Sequence, residues 1–165
     1  MSDRPNIRIP VTTTGRVLEA LGWLLCLFAF GLVGYFIEDL PAEIPNHYGF
    51  SGSPDNYGPK SGLWTLPIIG TAVYVLCIFL SRRPHILNYG VTITPENARR
   101  QYRNATGSIR SLSVFLAGVF AFLTLQTIRV ALGDAEGLGW YGVAVILLGI
   151  FGLVLYSFRK SNQLA

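Results

Sequence analysis

Four long apolar runs, at residues 16–37, 63–80, 111–131 and 138–158, are separated by wet segments that hold nearly all the charge. Each run approaches the roughly 20 residues that a helix needs to cross a hydrocarbon core about 30 Å thick. None shows the strict alternation of a half-buried strand. A backbone in lipid must satisfy its own hydrogen bonds, which leaves the helix as the form for such runs. The pattern predicts an all-α integral membrane protein: one domain, 1–165, of four transmembrane helices. A structured loop at 38–62 and a basic loop at 81–110 connect them. The first run exceeds the roughly 7–15 apolar residues of a signal peptide, and no small-x-small cleavage site follows it. It is therefore read as a retained helix, preceded by a polar arm containing Pro5 and Pro10.

Composition agrees. Hydrophobic residues make up 51% of the 165 and charged residues 13%, against roughly 25% charged in an average globular protein. The placement of the charges adds orientation. Of the 13 Lys and Arg residues, all but Lys60 and Arg129 fall before run one, between runs two and three, or after run four. Glu38, Asp39, Glu43, Asp55, Asp134 and Glu136 fall on the other side. The positive-inside rule then places both termini in the cytoplasm, in a bacterial inner membrane, and the loop 38–62 outside. The net charge of +4 reads as a topology signal, and a nucleic-acid partner is not expected. Cys26 and Cys77 both lie inside apolar runs, with no CxxC or Cys/His metal spacing.

The loop 38–62 is long for a connection. Its prolines limit the freedom of the chain, and its glycines permit tight turns. Leu40, Ile44, Tyr48, Phe50 and Tyr57 can pack onto helix ends, so a compact lid is expected. Ser53-Pro54-Asp55-Asn56 has turn chemistry, with Asp55 capping nearby amides and Ser61 an N-cap for run two. His47, with Asp55 or Glu43, is the one candidate acid/base or metal group outside, although zinc usually takes three or four protein ligands. The simpler expectation is that His47 and Asp55 hydrogen-bond the loop backbone.

Thr94-Pro95-Glu96-Asn97 reads as a helix start, with Thr94 as N-cap and Pro95 at the first helical position. The helix either continues through Gly107 into run three or breaks there. Its arginines suit a collar against anionic lipid heads or a docking site for a cytoplasmic protein. Glu19, one turn into run one, is expected to pair with an arginine. Gln126 and Arg129 share a face of run three, and Asp134, Glu136, Glu43 and Asp55 are the candidate acidic partners of Arg129.

Leu40-Pro41-x-x-Ile44-Pro45-x-His47-x-Gly49-x-x-Gly52-x-Pro54-Asp55, followed by Lys60, resembles the signature of a bacterial membrane family of uncharacterised function. Its domain also forms the N-terminal part of Sdp-type toxin-immunity proteins. A second stretch, with Asn88, Tyr89, Thr94, Glu96 and Asn97, resembles a motif of the small family members. The resemblance implies a multi-span inner-membrane protein. In the immunity branch it implies protection against a secreted peptide toxin, sometimes with capture of a repressor at the membrane.

The function expected is recognition of a peptide, lipid or envelope partner by the outer loop, in toxin immunity or signalling. No nucleophile constellation or cofactor motif is present. One alternative is a metal-dependent or acid/base membrane enzyme using His47 and Asp55. Another is a transporter or channel acting as a homo-oligomer.

Overall fold

The computed structural model describes residues 4–164. Four helices dominate it: α1 (Thr13–Phe36), α2 (Thr65–Ser81), α3 (Ala98–Ala131) and α4 (Trp140–Gln163). All four are long and apolar enough to cross a membrane, α2 together with the 3-10 turn Lys60–Trp64 that leads into it. The protein is not all-α, however. Strands β1 (Glu43–Tyr48) and β2 (Pro54–Pro59) form an antiparallel hairpin between α1 and α2. Pro45, Pro54 and Pro59 lie within these strands, a composition that argues against a strand in a larger sheet. In a two-stranded ribbon each strand keeps one unpaired side, where a missing N–H costs no ladder bond.

Helix α3 is the centre of the bundle, and α1, α2 and α4 all pack against it. Close approach depends on glycines that receive aromatic rings. A Cβ at Gly22 of α1 would overlap the Tyr74 ring of α2, one at Gly70 of α2 would meet Phe120 of α3 at 2.6 Å, and one at Gly149 of α4 would overlap Phe115 of α3. Lipid tails are as apolar as leucine, so packing of this kind, and not water exclusion, holds membrane helices together.

Helix termini follow local chemistry. The Thr12 hydroxyl accepts from the Gly15 N–H at 3.0 Å and caps α1. α3 closes with Gly133 at φ +82°, where the Asp134 N–H donates to the Arg129 carbonyl at 2.8 Å and the Gly133 N–H to Val130 at 3.1 Å. This is a Schellman motif. At its other end α3 begins at Ala98, later than Pro95. Thr94 and Asn97 still form a reciprocal cap: the Thr94 N–H donates to Asn97 Oδ1 at 2.9 Å and the Asn97 N–H to Thr94 Oγ1 at 3.4 Å. The helix then runs unbroken through Gly107. At 34 residues it is roughly 50 Å long, some 20 Å more than a hydrocarbon core. Ser61 is not the N-cap of α2. It lies inside the 3-10 turn, and Trp64, without a side-chain bond, precedes the helix.

Two ends of the bundle are thus distinct. At the basic end the Glu19 carboxylate accepts from Arg110 Nε at 2.9 Å and from Arg82 Nη2 at 3.1 Å, while the Tyr74 hydroxyl donates to the Glu19 carbonyl at 2.6 Å. Helices α1, α2 and α3 are tied at this point. At the opposite end the hairpin sits on a small core of Val33, Leu40, Ile44, Leu63 and Ile128, all buried.

Candidate functional site

The hairpin end brings together most of the residues singled out in the loop 38–62. Leu40 and Ile44 anchor it in the core just described, and Pro45 is buried beside them; Pro41 is exposed. Lys60 Nζ donates to the carbonyls of Leu40 at 3.3 Å and Glu38 at 3.4 Å, which fastens the end of β2 to the exit of α1. The turn lies earlier than Ser53–Asn56. The Gly49 N–H donates to the Ser53 carbonyl at 3.0 Å, and the Gly52 N–H to Gly49 at 2.9 Å. Gly52 has φ +80°, a conformation that L side chains rarely adopt. Pro54, Asp55 and Asn56 belong to β2.

The strands lose register twice. Pro45 faces Tyr57, His47 faces Asn56 and Tyr48 faces Pro54, so that Asn46 and Asp55 have no partner across the ribbon. Bulges of this kind re-aim side chains. Here His47 Nδ1 and Asp55 Oδ1 come within 2.5 Å. The turn chemistry suggested that Asp55 caps nearby amides; among the described residues it caps none and pairs with the imidazole instead. A carboxylate only accepts, so Nδ1 carries the proton and, in the neutral ring, Nε2 is the free acceptor. Both side chains are at least half exposed. Gly49 makes room for the pair, since a Cβ there would stand 3.1 Å from Asp55 Oδ2.

Tyr48, the next residue, points the other way in function. Its hydroxyl donates to Thr127 Oγ1 of α3 at 3.1 Å. Burial pushes its phenol above the usual tyrosine range, with the Thr127 hydrogen bond opposing. Tyr48 thereby pins a wall between two clefts. One, of about 490 Å³, lies between β1 and helices α2 and α3; Ile44, Leu63, Leu66 and Leu123 supply its apolar lining, and His47 and Thr127 its polar groups. The other, of about 610 Å³, lies between the hairpin turn and α4, against Phe50, Asp55, Leu138 and Ile146. His47 and Tyr48 line both. Volumes of 300–1,000 Å³ with mostly apolar walls and a few polar groups are typical of ligand sites. Tyr48→Phe should cost about 1–2 kcal/mol, because Thr127, 3% exposed, loses its donor in a buried place. Thermal unfolding of the purified variant measures this; an unchanged midpoint would show that the bond holds nothing.

The loop between α3 and α4 completes the wall. The Leu138 N–H donates to the Gly52 carbonyl at 2.7 Å, and Gln126 Nε2 donates to the Gly137 carbonyl at 2.8 Å. Arg129 Nη1 donates to Gln126 Oε1 at 3.3 Å. Among the described residues Arg129 has no acidic partner, so the expected pairing with Asp134, Glu136, Glu43 or Asp55 is not formed. A glutamine that accepts from the guanidinium and donates to a loop carbonyl serves in its place. Glu43 lies at the base of the hairpin, opposite Pro59, remote from His47 along β1. Among the described residues no three His, Cys, Asp or Glu side chains cluster as metal ligands.

The second sequence motif lies at the other end of the bundle. The Tyr89 hydroxyl donates to the Pro84 carbonyl at 2.9 Å, and Arg4 donates to the Leu87 carbonyl at 2.6 Å with its guanidinium over the Tyr89 ring. Asn97 Nδ2 holds the Thr92 carbonyl at 3.0 Å. Glu96 is exposed, and a hydrogen bond from Thr94 holds its carboxyl below the usual range. Asn88 is exposed. These residues fold the connection 82–97 and are not brought near the hairpin.

Thr127, Leu123 and Leu66 were not marked by the sequence, which offers them only as members of apolar runs. The available signal was Tyr48, an aromatic with a polar tip beside His47.

Comparison with known proteins coincides with the hairpin. Residues 24–71 match a family model described as a domain of unknown function, DUF1648. The matched segment runs from the middle of α1 through the hairpin into α2, so it contains the His47–Asp55 pair and the β1 side of both clefts. An uncharacterized protein of Archaeoglobus fulgidus is 28% identical over 75 residues, which are 44% of this chain and 40% of that relative. The match thus spans less than half of either protein. No solved structure matches the chain.

Proposed function

We propose that this is a cytoplasmic-membrane recognition protein that binds a peptide with an apolar segment at the hairpin end, on the extracytoplasmic side. The observation that carries the reading is the 490 Å³ cleft, apolar-walled and edged by His47. An extended peptide would place apolar side chains against Leu63, Leu66 and Leu123, with His47 Nε2 accepting from a backbone N–H. The sidedness rests on the charge distribution, since Lys60 and Arg129 are the only cations at the hairpin end. The resemblance to Sdp-type immunity proteins supports a secreted peptide toxin as the ligand, with signalling as the wider form of the same role. In a deletion strain challenged with secreted peptide toxins, sensitivity should rise and be restored by the wild type. Leu123→Trp, which fills the cleft, should fail to restore it. Unchanged sensitivity, with no cleft-dependent peptide binding by the purified protein, would overturn the reading.

The His47–Asp55 contact favours a second reading, acid/base chemistry at His47 Nε2 with the carboxylate orienting the ring. His47→Ala separates the two. Under recognition alone the variant binds peptide more weakly and releases no altered product. A product formed by the wild type and lost in the variant would establish the enzyme.

A further inference from the structure

A third cleft, of about 310 Å³, lies at the basic end, enclosed by the arm before α1 and by α1, α3 and α4. Helices α1 and α4 both pack on α3 and scarcely on each other, which leaves a furrow over α3. Each helix presents to it a stripe that changes character along its length. On α4, Lys160, Tyr156 and Leu153 follow one another at helical spacing; on α3, Arg103, Gly107 and Ser111 do so; on α1, Thr14 is followed by Leu18. The polar and cationic members stand at the basic end, and Leu18 and Leu153 lie toward the middle of the bundle. From Lys160 to Leu153 is about 10 Å along the helix.

Among the described residues, no acidic side chain lines this cleft. Arg110 reaches it but is committed to Glu19. Among the described residues the Arg103 guanidinium has no hydrogen-bond or salt-bridge partner, its carbonyl alone accepting from the Thr106 hydroxyl at 3.1 Å, and Lys160 Nζ has only the Tyr156 hydroxyl, at 3.2 Å. Gly107 keeps the floor open, since a Cβ there would meet nothing within 4 Å.

We infer that this cleft binds the phosphate headgroup of an anionic phospholipid. Arg103 and Lys160 hold the phosphate as charge-assisted donors, Ser108 and Ser111 offer hydroxyls to the headgroup, and an acyl chain leaves past Leu18 and Leu153 into the bilayer. The site differs from a diffuse basic collar in having walls, and it is separate from the hairpin clefts.

Native mass spectrometry of the detergent-purified full chain, titrated with phosphatidylglycerol or phosphatidylcholine, tests this. The wild type should retain one phosphatidylglycerol in preference to phosphatidylcholine. Each cation near an anionic lipid is worth about fivefold, so R103Q/K160Q should bind roughly 30-fold more weakly. R99Q/R100Q removes two exposed arginines of the same helix that do not line the cleft, and should bind as the wild type does. Gly107→Leu should block retention with every charge intact, and alanine-like helix propensity at that position makes misfolding an unsuitable explanation. Equal losses in both double variants would overturn the proposal in favour of a collar. Retention of phosphatidylcholine as strong as that of phosphatidylglycerol, or displacement of the lipid by millimolar inorganic phosphate, would also overturn it.

Discussion

Glu19→Ala is expected to destabilise the folded protein by about 3–5 kcal/mol, the cost of removing one partner from a buried ion pair. Arg110 is 5% exposed, and its Nε proton has the Glu19 carboxylate as its acceptor at 2.9 Å. Without that carboxylate a guanidinium is left in the bundle with, among the described residues, only the Thr106 carbonyl, at 3.4 Å. Arg82 suffers less, because its side chain is 60% exposed and water replaces the contact. Glu19→Gln should fall between, keeping an acceptor and losing the charge. The double variant Glu19→Leu with Arg110→Met should recover most of the loss, since replacing a whole buried pair by apolar groups is often near neutral. Unfolding free energies in detergent would show it. A double variant as unstable as Glu19→Ala would mean that the damage comes from α1 packing and not from an orphaned charge.

That pairing was legible in the sequence in kind but not in detail. A carboxylate one turn into an apolar run, on the side rich in arginine, needs a cation, and the sequence names the class of partner. Which of six arginines between runs two and three it meets depends on how α3 crosses α1, which no periodicity states. The four helices were legible for a simple reason: hydropathy over about 20 residues is decided by lipid, not by neighbours. The hairpin was not, and the obstacle is physical. Strand prediction relies on alternation and on the absence of proline, while this ribbon carries Pro45, Pro54 and Pro59 and is interrupted at Asn46 and Asp55. Those interruptions are also what bring Asp55 to His47. The site chemistry thus arises from the same irregularity that hides the fold. Arg129 teaches the converse. Charge complementarity predicts an acid, but Gln126 on the preceding turn accepts from the guanidinium instead, and Asp55 pairs with His47.

The hairpin turn is fastened to the α3–α4 loop by a contact between two glycines' backbones, and Gly137→Val should break it. A Cβ at Gly137 would overlap the Gly52 carbonyl oxygen, with the Ser53 Cα at 3.2 Å. The obstruction is backbone on both sides, so no rotamer change relieves it. Gly52, at φ +80°, is packed against the same loop, for a Cβ on it would stand 3.2 Å from the Gly139 N. The α3–α4 loop must therefore lift, breaking the 2.7 Å bond from the Leu138 N–H to the Gly52 carbonyl and straining the Gln126 bond to Gly137. Overpacking of about 1–3 kcal/mol together with about 1 kcal/mol for the lost bond gives a cost on the order of 3 kcal/mol. The loss should be local. Helices α1 to α3 keep their contacts, while the hairpin turn around Phe50, fully exposed already, is cut faster by protease added from the hairpin side. Peptide binding should weaken in parallel, because His47 and Tyr48 of the same hairpin line the first cleft. Gly152→Val is the control: its Cβ meets nothing within 4 Å, so neither cleavage nor binding should change. Were Gly137→Val cut no faster than the wild type, the α3–α4 loop would not be what fastens the hairpin turn, and the Tyr48–Thr127 bond with the Leu40 and Ile44 core would be what holds it.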